Sequence, residues 1–421
     1  MSFQRGGVGD LFRVRIETGD VDDLPTPGLW DTALWDTDVW GTGDVDTYLV
    51  DVTEYCEGFT TRMGRQRWVS RFRAGVAVVT LDNTFGTWTP SGGATLPGFL
   101  PLRPGRLLVI ETSALGEWVP IFTGPIDTIG DSYNAEGDLS TRITGIDVLG
   151  WAATSQSVAN LPAGGGESSS LRMRRIIDHA WPDPAVRPEL RVWGESTVEG
   201  SGGVPMLDTT LADPVQHLMQ ITADSEGGGV WVDAAGRFTF ALSDYFTDQA
   251  TDPEGPDWAL GAGITDIERT DWSAEDLINE AHIAHRGGNE EVVTNQESID
   301  KYRGRRTHTR LDLEHQDDSH SLFLAQRLVT LRGNDRPRIV GITIAPDTTL
   351  EARLAVLAEP GDTILLTVAT MHGWSYALKT QVSGVSHTVT PSRWETRFVV
   401  DDTNVQSAGA YSSAYSDAYD I

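Results

Sequence analysis

The chain has 421 residues, which is enough for two to four domains that each bury a core. It carries 61 acidic and 32 basic residues, a formal net charge of −29, which argues against binding the outside of a nucleic acid. The single cysteine, Cys56, excludes an intramolecular disulfide and is expected to be a semi-buried hydrophobe. With no apolar run of membrane length and no signal-peptide core, we expect a protein made in a cytosol without a membrane span.

The first 43 residues predict an N-terminal arm. Residues 11–16 alternate apolar and polar side chains, as a strand does. Trp30, Trp35 and Trp40 follow at a spacing of five, which fits neither a helix face nor a strand face. Exposed aromatic side chains of this kind commonly anchor interfaces. We therefore expect an extended arm whose tryptophans dock into grooves on another surface.

Residues 44–159 predict a first β-barrel or sandwich. Its strands are expected at 76–81, 107–110, 119–122 and 140–148, with a turn at 82–86. This region also holds the densest basic cluster of the first half: Arg62, Arg65, Arg67, Arg71 and Arg73. The cluster has two interpretations. It either pairs with acids of an adjacent subunit or forms a solvated strand face.

Residues 160–245 predict an inserted α+β domain. A glycine-rich loop at 163–170 opens a helix that runs to about His179, and the loop lacks the lysine of a phosphate-binding motif, which favours a structural N-cap. Asp213 is expected to cap a second helix, with Pro214 at its first position. A hairpin at 230–240 completes this domain.

The remainder of the chain predicts three further regions. Residues 246–275 are an acidic connector, and 276–402 form a second β-barrel with one helix from about 318 to 331. The final segment, 403–421, has no core pattern, so we expect a neighbouring subunit to hold it. The predicted fold class is therefore mainly β with an α+β insertion.

One motif occurs twice. Pro104-Gly105 begins an apolar run followed by Trp118, and Pro360-Gly361 begins a second such run followed by Trp374. Both tryptophans stand thirteen residues after their glycine. The repetition predicts two related β-barrels, and three copies of a duplicated chain can present six similar faces. Residues 160–245 have no counterpart in the second half, so we expect them to lie outside such a ring.

Catalytic and metal-binding patterns are weak. His282 and His285 face opposite sides of a strand, which favours ordinary histidines over metal ligands, although His308, His315 and His320 lie nearby. Many carboxylates and fourteen tryptophans suggest a glycosidase, but 61 acids produce chance pairs. No nucleophile elbow or zinc-protease helix is present in the sequence. We predict a non-enzyme without catalytic residues, metal or cofactor.

Short motifs in a consistent order carry a family resemblance across about residues 44–400. They are Ala74 to Asn83, Phe85-Gly86 and Pro90, Leu102 to Arg106, Pro120 to Gly124 with Asp127, Gly166-Glu167, Leu211-Ala212, Ser225 to Gly228, Asp233 to Gly236, Asn279, Ser298-Ile299, the 318–331 helix, Gly361-Asp362, and Val385 to His387 with Trp394. Together they resemble the tail-hub proteins, also described as minor tail or baseplate hub proteins, of long-tailed phages that infect actinobacteria.

The resemblance implies a homotrimeric ring at the tail tip, in which each copy supplies two similar barrels. Such a ring joins the sixfold tail tube and distal tail ring to threefold tip parts. Its implied partners are the distal tail protein, the tape measure protein and receptor-binding or other tip proteins. DNA would transit the lumen without specific binding, and the virion tail would assemble in the host cytoplasm.

Two other functions remain open from the sequence. The first alternative is a carbohydrate-binding or carbohydrate-degrading protein that uses tryptophan platforms. The second is a hub that also degrades envelope polymer. The repeated motif and the absence of a signal-peptide pattern favour the structural hub.

Overall fold

The computed structural model describes most of the chain. The described residues are 11–17, 49–65, 71–84, 88, 102–133, 139–155, 161–184, 187–194, 202–246, 256–261, 264–270, 277–334, 338–369 and 375–402. The fold is mainly β with α+β insertions, which confirms the predicted class.

Twenty-one strands and six longer helices are present in these ranges. The strands are β1 Phe12–Glu17, β2 Leu49–Asp51, β3 Cys56–Gly64, β4 Arg73–Asp82, β5 Leu107–Thr112, β6 Val119–Tyr133, β7 Leu139–Ile146, β8 Leu161–Ala163, β9 Leu190–Trp193, β10 Thr209–Leu211, β11 Gly229–Val232, β12 Phe238–Ala241, β13 Trp258–Leu260, β14 Ile264–Thr270, β15 Glu280–His285, β16 Glu291–Thr294, β17 Thr307–Leu313, β18 Arg338–Ile344, β19 Thr363–Ala369, β20 Ser375–Thr390 and β21 Arg393–Asp402. The helices are α1 Val148–Ser155, α2 Ser169–Ala180, α3 Val215–Glu226, α4 Gln296–Tyr302, α5 Asp318–Arg332 and α6 Thr349–Leu357.

One large sheet dominates the molecule. Its strands run in the order β14-β18-β21-β20-β3-β4-β7-β6-β5-β1-β2, and β19 pairs with both β20 and β13. The order contains the same five-strand arrangement twice. The first unit is β3-β4-β7-β6-β5, and the second unit is β14-β18-β21-β20-β19. The two units meet where β20 pairs with β3.

Strands β5 and β6 of the first unit align with β19 and β20 of the second unit at a constant offset of 256 residues. Gly105 and Gly361 both adopt a positive φ, 87° and 105°. The Gly105 N–H donates to the Ile126 carbonyl at 2.7 Å, and the Gly361 N–H donates to the Val382 carbonyl at 2.8 Å. In return, the Ile126 N–H donates to the carbonyl of Arg106, and the Val382 N–H donates to the carbonyl of Asp362; each acceptor follows its glycine. The turn therefore has one geometry in both copies.

The strand register repeats as well. Leu107 lies opposite Pro125, and Thr363 lies opposite Gln381 at the same offset. The long strands β6 and β20 carry a bulge at equivalent places, between Ile126 and Thr128 and between Val382 and Gly384. One difference is a bulge on β6 opposite Ile110 and Glu111, which the β19–β20 pair lacks. The duplication predicted from the Pro-Gly motif is thus a structural one.

A single hydrophobic core runs through both units. The Phe12 ring on β1 contacts the rings of Phe59 and Trp394 edge-on, at centroid distances of 5.4 Å and 5.1 Å. Phe59 belongs to the first unit and Trp394 to the second, so β1 packs where the two units meet. Each fully buried apolar side chain here contributes about 1.5–3 kcal/mol. This core fixes the two units against each other.

The described part of residues 161–246 lies between the two units in the chain and, together with α1, forms a compartment with its own core. The Ser168 hydroxyl accepts the Leu171 N–H, so the glycine-rich loop ends in the predicted N-cap of α2. The prediction for α3 was wrong by one position. Pro214 is extended, with φ −53° and ψ 139°, and occupies the N-cap, so Asp213 lies before it. The helix ends at Glu226, and Gly227, whose φ is 75°, is its C-cap.

A second insertion separates β14 from β18. Strands β15, β16 and β17 form a sheet of their own, and α5 packs on it through a small core. The sequence pattern assigns these strands to the second β-rich region, whereas in the structure they pair only with one another and not with the large sheet. Strands β13 and β14 lie inside the stretch predicted as a connector. Both are short or rich in charged residues, so apolar alternation does not reveal them.

Candidate assembly interface

The junction between the two units is a stretch of antiparallel pairing between β20 and β3. It runs from Gly384 opposite Gly64 to Val389 opposite Phe59, and both of the last two side chains are buried. Gly64 has a φ of 88°, and a Cβ there would lie 2.5 Å from the Ser383 carbonyl oxygen. A Cβ on Gly58 would lie 2.8 Å from the Val389 carbonyl oxygen. Glycine is therefore required at both ends for this close approach.

His387 lies in the middle of the junction and is buried. Its Nδ1 is 2.9 Å from the Thr396 hydroxyl, on the neighbouring strand β21. Burial lowers the pKa of His387 to about 4, so the imidazole is neutral at pH 7. The junction thus buries no net charge at this position.

The equivalent segment of the first unit is the end of β6. It pairs with β7 on one side, from Thr128 opposite Thr144 to Tyr133 opposite Leu139. Within the described residues no strand lies on its other side. Tyr133, the counterpart of Val389, is 72% exposed, whereas Val389 is 1% exposed. The same strand end is therefore covered in one unit and bare in the other.

The polar pair beside this strand end repeats too. The Asp131 carboxylate accepts a hydrogen bond from the Thr141 hydroxyl at 2.7 Å. This pair stands where His387 and Thr396 stand in the second unit. Within the described ranges, the one difference is that no strand pairs with this edge of β6 as β3 pairs with β20.

Strand β14 is the counterpart of β3. It pairs with β18 on one side, as β3 pairs with β4, and its other edge has no strand partner in the described part of the chain. Ile267 is half-buried, whereas Phe59 at the equivalent place is buried. Glu268 forms an ion pair with Arg397, and the hydrogen bond from that guanidinium lowers the pKa of Glu268. The outer edge of β14 is therefore a second bare strand edge.

The predicted arginine cluster divides among several environments. The Arg71 guanidinium contacts the Asp224 carboxylate of α3 at 2.6 Å, and Arg310 of β17 reaches the same carboxylate at 2.9 Å. Arg65 is partly buried over the Phe72 ring at 4.8 Å, and burial lowers its pKa to about 10.

The other predicted interface residues fall at the surface or outside the described ranges. Arg62 and Arg73 are exposed on β3 and β4. The residues outside the described ranges are Arg67, Trp30, Trp35 and Trp40. Arg71 thus joins parts of its own chain, and the roles of the cluster and the tryptophan arm between subunits stay predictions.

A cavity of about 170 Å³ lies between the first unit and the two insertions. Its polar lining includes Arg65, Arg71, Arg310 and Arg327 beside Asp224. The arrangement holds one carboxylate between two guanidiniums and offers no pair of acids for acid–base chemistry. We interpret it as the packing seam of three compartments.

The histidines form a ring contact rather than a ligand set. The His315 ring touches those of His285 and His320, at centroid distances of 5.5 Å and 4.8 Å. Burial lowers the pKa of His315 to about 4. Among the residues that the structure describes, no group of three potential metal ligands occurs. In the same ranges no helix is long and apolar enough to cross a membrane.

Comparison of the sequence with protein-family models and with curated proteins gives no match. The structure, in contrast, is similar to solved tail proteins. One is the tail protein from Neisseria meningitidis MC58, at 13% identity and a TM-score of 0.59, covering 93% of this chain and 97% of that chain. Another is a 43 kDa tail protein of prophage MuSo2 from Shewanella oneidensis, at 11% identity and a TM-score of 0.57, covering 93% and 98%.

The chain therefore shares the fold of these tail proteins over nearly its full length. The narrower likeness to hub proteins of actinobacterial phages rests on the sequence motifs alone.

Proposed function

We propose that the protein is a non-catalytic structural component of a phage tail. In this role it forms the hub at the tail tip as a homotrimeric ring. The observation that carries the proposal is the duplicated unit: two five-strand arrangements with one register, joined inside the chain through β3 and β20. The shared fold with solved tail proteins supports it.

Three copies of such a chain supply six nearly equivalent units around one axis. A surface built from those six units matches a sixfold tail tube and distal tail ring. The insertions differ between the two units, so they repeat only three times and match threefold tip parts. The proposed partners are accordingly the distal tail protein, the tape measure protein and receptor-binding or other tip proteins.

The charge suits a conduit for DNA. A net charge of −29 on each copy repels phosphates. In the proposed ring, acidic side chains line the lumen, and DNA passes without being held. Charge mapping on an imaged ring tests this point, because a basic bore would contradict it.

The carbohydrate alternative requires exposed aromatic platforms. Trp88, Trp181, Trp231 and Trp394 are buried in the cores of the described regions. Trp118 is exposed at 42%, but the Arg13 guanidinium lies 4.6 Å from its ring centroid. The described tryptophans therefore favour structural packing over sugar stacking.

Light scattering on the purified chain tests the proposal directly. We expect a mass three times the 45.8 kDa of one chain, and ring-shaped class averages by electron microscopy. A monomer that binds or hydrolyses a glycan would overturn the structural role. A tail particle that labels at its tip with an antibody to this chain would place it there.

A further inference from the structure

We infer that the bare edge of β6 pairs with the bare edge of β14 in a neighbouring copy. The pairing is antiparallel, sets residues 130–133 against residues 267–270, and continues the large sheet from one chain into the next. This inference rests on the proposed ring and specifies the contact that closes it. It is a second copy of the junction that β20 and β3 make within the chain.

The equivalence of β14 and β3 follows from two rows of directly opposed residues. Each row crosses four strands of one unit through its core. The row of the first unit is Ile129, Ile143, Val79 and Phe59. The row of the second unit is Val385, Phe398, Ile342 and Ile267. Ile267 therefore holds the place of Phe59.

The register of the new contact follows by substitution. Within the chain, Val389 lies opposite Phe59 and Thr388 lies opposite Thr60. At the offset of 256 residues, the equivalent of Val389 in the first unit is Tyr133, and the equivalent of Thr388 is Ser132. Across two copies, Tyr133 then lies opposite Ile267, and Ser132 lies opposite Glu268.

Exposure supports this choice of partner. Residues 127–133 are partly or fully exposed, whereas most of their counterparts in β20 are buried beneath β3. Tyr133 is a large aromatic side chain left in solvent, and Ile267 is the half-buried apolar residue that the register places across from it. A strand edge with an exposed aromatic end is a template for pairing.

The geometry of the two edges requires a ring or a filament rather than a simple dimer. The β6 edge and the β14 edge are different surfaces, so each copy donates one and accepts the other. Such head-to-tail contacts close when the rotation per copy divides a full turn. Internal junctions and contacts between copies then alternate around the axis.

Cysteine cross-linking tests the register. In Ser132→Cys/Glu268→Cys, the two thiols of neighbouring copies face each other at cross-strand distance, about 4.5–5.5 Å between Cβ atoms. We expect oxidation or a short bis-maleimide to give covalent dimers and trimers on a denaturing gel. Native Cys56 is buried and stays unreactive.

The matched control is Thr60→Cys/Thr388→Cys, which places the same pair at the internal junction. Both threonines are exposed, and they lie directly opposite each other. This variant should cross-link within one chain and keep the mobility of a monomer. Mixing and reassembling the two single variants Ser132→Cys and Glu268→Cys should give cross-linked dimers, which proves contact between copies.

The outcomes separate the contact from the function. Trimers by light scattering without cross-links at 132/268, while the internal control cross-links, would overturn the β6–β14 contact and leave the tail role standing. Monomers throughout would overturn the ring itself. If the 132/268 variant fails to fold, as judged by its thermal transition, Tyr133→Cys/Ile267→Cys tests the next pair of the same register.

Discussion

The ends of β6 and β20 have the same backbone and opposite surroundings. In the second unit β3 covers the strand end, and Val389 is buried against Phe59. In the first unit the strand end has no cover in the described part of the chain, and Tyr133 projects into solvent. The comparison shows that burial along these strands depends on a neighbouring strand rather than on the unit itself.

The turns that begin the repeated strands make a second contrast. Both turns close with the same backbone hydrogen bond. In the first turn the Arg106 N–H donates to the Arg103 carbonyl, and in the second the Asp362 N–H donates to the Glu359 carbonyl. The side chains that flank the glycine are thus basic in the first unit and acidic in the second. The two turns therefore share one backbone geometry and differ in the charge of these side chains.

The largest effect is expected at the internal junction. Gly64→Ala places a Cβ against the Ser383 carbonyl oxygen and forces alanine into a left-handed backbone conformation. We expect a loss of about 3 kcal/mol in the free energy of unfolding, measured by urea denaturation. Gly116→Ala is the control, since Gly116 has a φ of 90° but open space around it, and should cost about 1 kcal/mol. Equal losses would contradict the close approach of β20 and β3.

The covered and bare strand ends should respond differently to truncation. Val389→Ala removes buried methyl groups and should lower the free energy of unfolding by about 2 kcal/mol. Tyr133→Ala should leave unfolding of the isolated chain within about 0.5 kcal/mol but weaken association. Urea titration and light scattering measure the two effects. A stability loss at Tyr133 as large as that at Val389 would remove the contrast between the strand ends.

The acidic turn should respond to pH. Burial raises the pKa of Glu359 to about 7 and that of Asp362 to about 6. Because these folded-state pKa values exceed the unfolded ones, the stabilisation is complete below about pH 4 and is lost as pH rises towards 7.

Glu359→Gln removes one of these titrations. We expect the variant to match the parent chain at pH 4 and to exceed its free energy of unfolding by about 1–2 kcal/mol at pH 8. Urea midpoints across this range measure the difference. The substitution also removes the ion pair between Glu359 and Arg191, which lowers the free energy of unfolding at pH 8. A variant less stable than the parent at pH 8 would show that this ion pair outweighs the cost of burying the carboxylate.

The smallest effect is expected at Arg71. Its ion pair with Asp224 is partly exposed and belongs to a network with Arg310, so Arg71→Ala should cost about 0.5–1 kcal/mol. A double-mutant cycle with Asp224→Ala isolates this coupling. A coupling that is present only in an assembled oligomer of the chain would show instead that Arg71 contacts an adjacent subunit.

Local sequence signals predicted much of this fold. Serine, glycine and proline positions located α2 and α3 to within a few residues, and apolar spacing before Gly333 located α5. The Pro-Gly motif located both units. Helix α6 went unnoticed although Thr348 and Glu351 form a capping box, a signal visible in the sequence. Helices α1 and α4 are too short to give a clear apolar period, so they were not predicted either. The main sequence signal for α4 is Asn295, which caps its N-terminus.

The proposed contact between copies could not be predicted in the same way. Its template is the pairing of β3 with β20, whose strands lie more than 300 residues apart in the chain. No short motif encodes such a pairing. Tyr133 and Ile267 become notable only when their equivalents, Val389 and Phe59, are seen buried against each other.

Strand β20 is sixteen residues long, and its two halves serve different units. The first half pairs with β19 of the second unit, and the second half pairs with β3 of the first. At about 3.3 Å per residue, this one extended backbone spans roughly 50 Å. The units cannot swing apart on a hinge, because rotation would require bending a strand that is hydrogen-bonded along both edges. Mechanical load applied to one unit passes straight into the other through this strand.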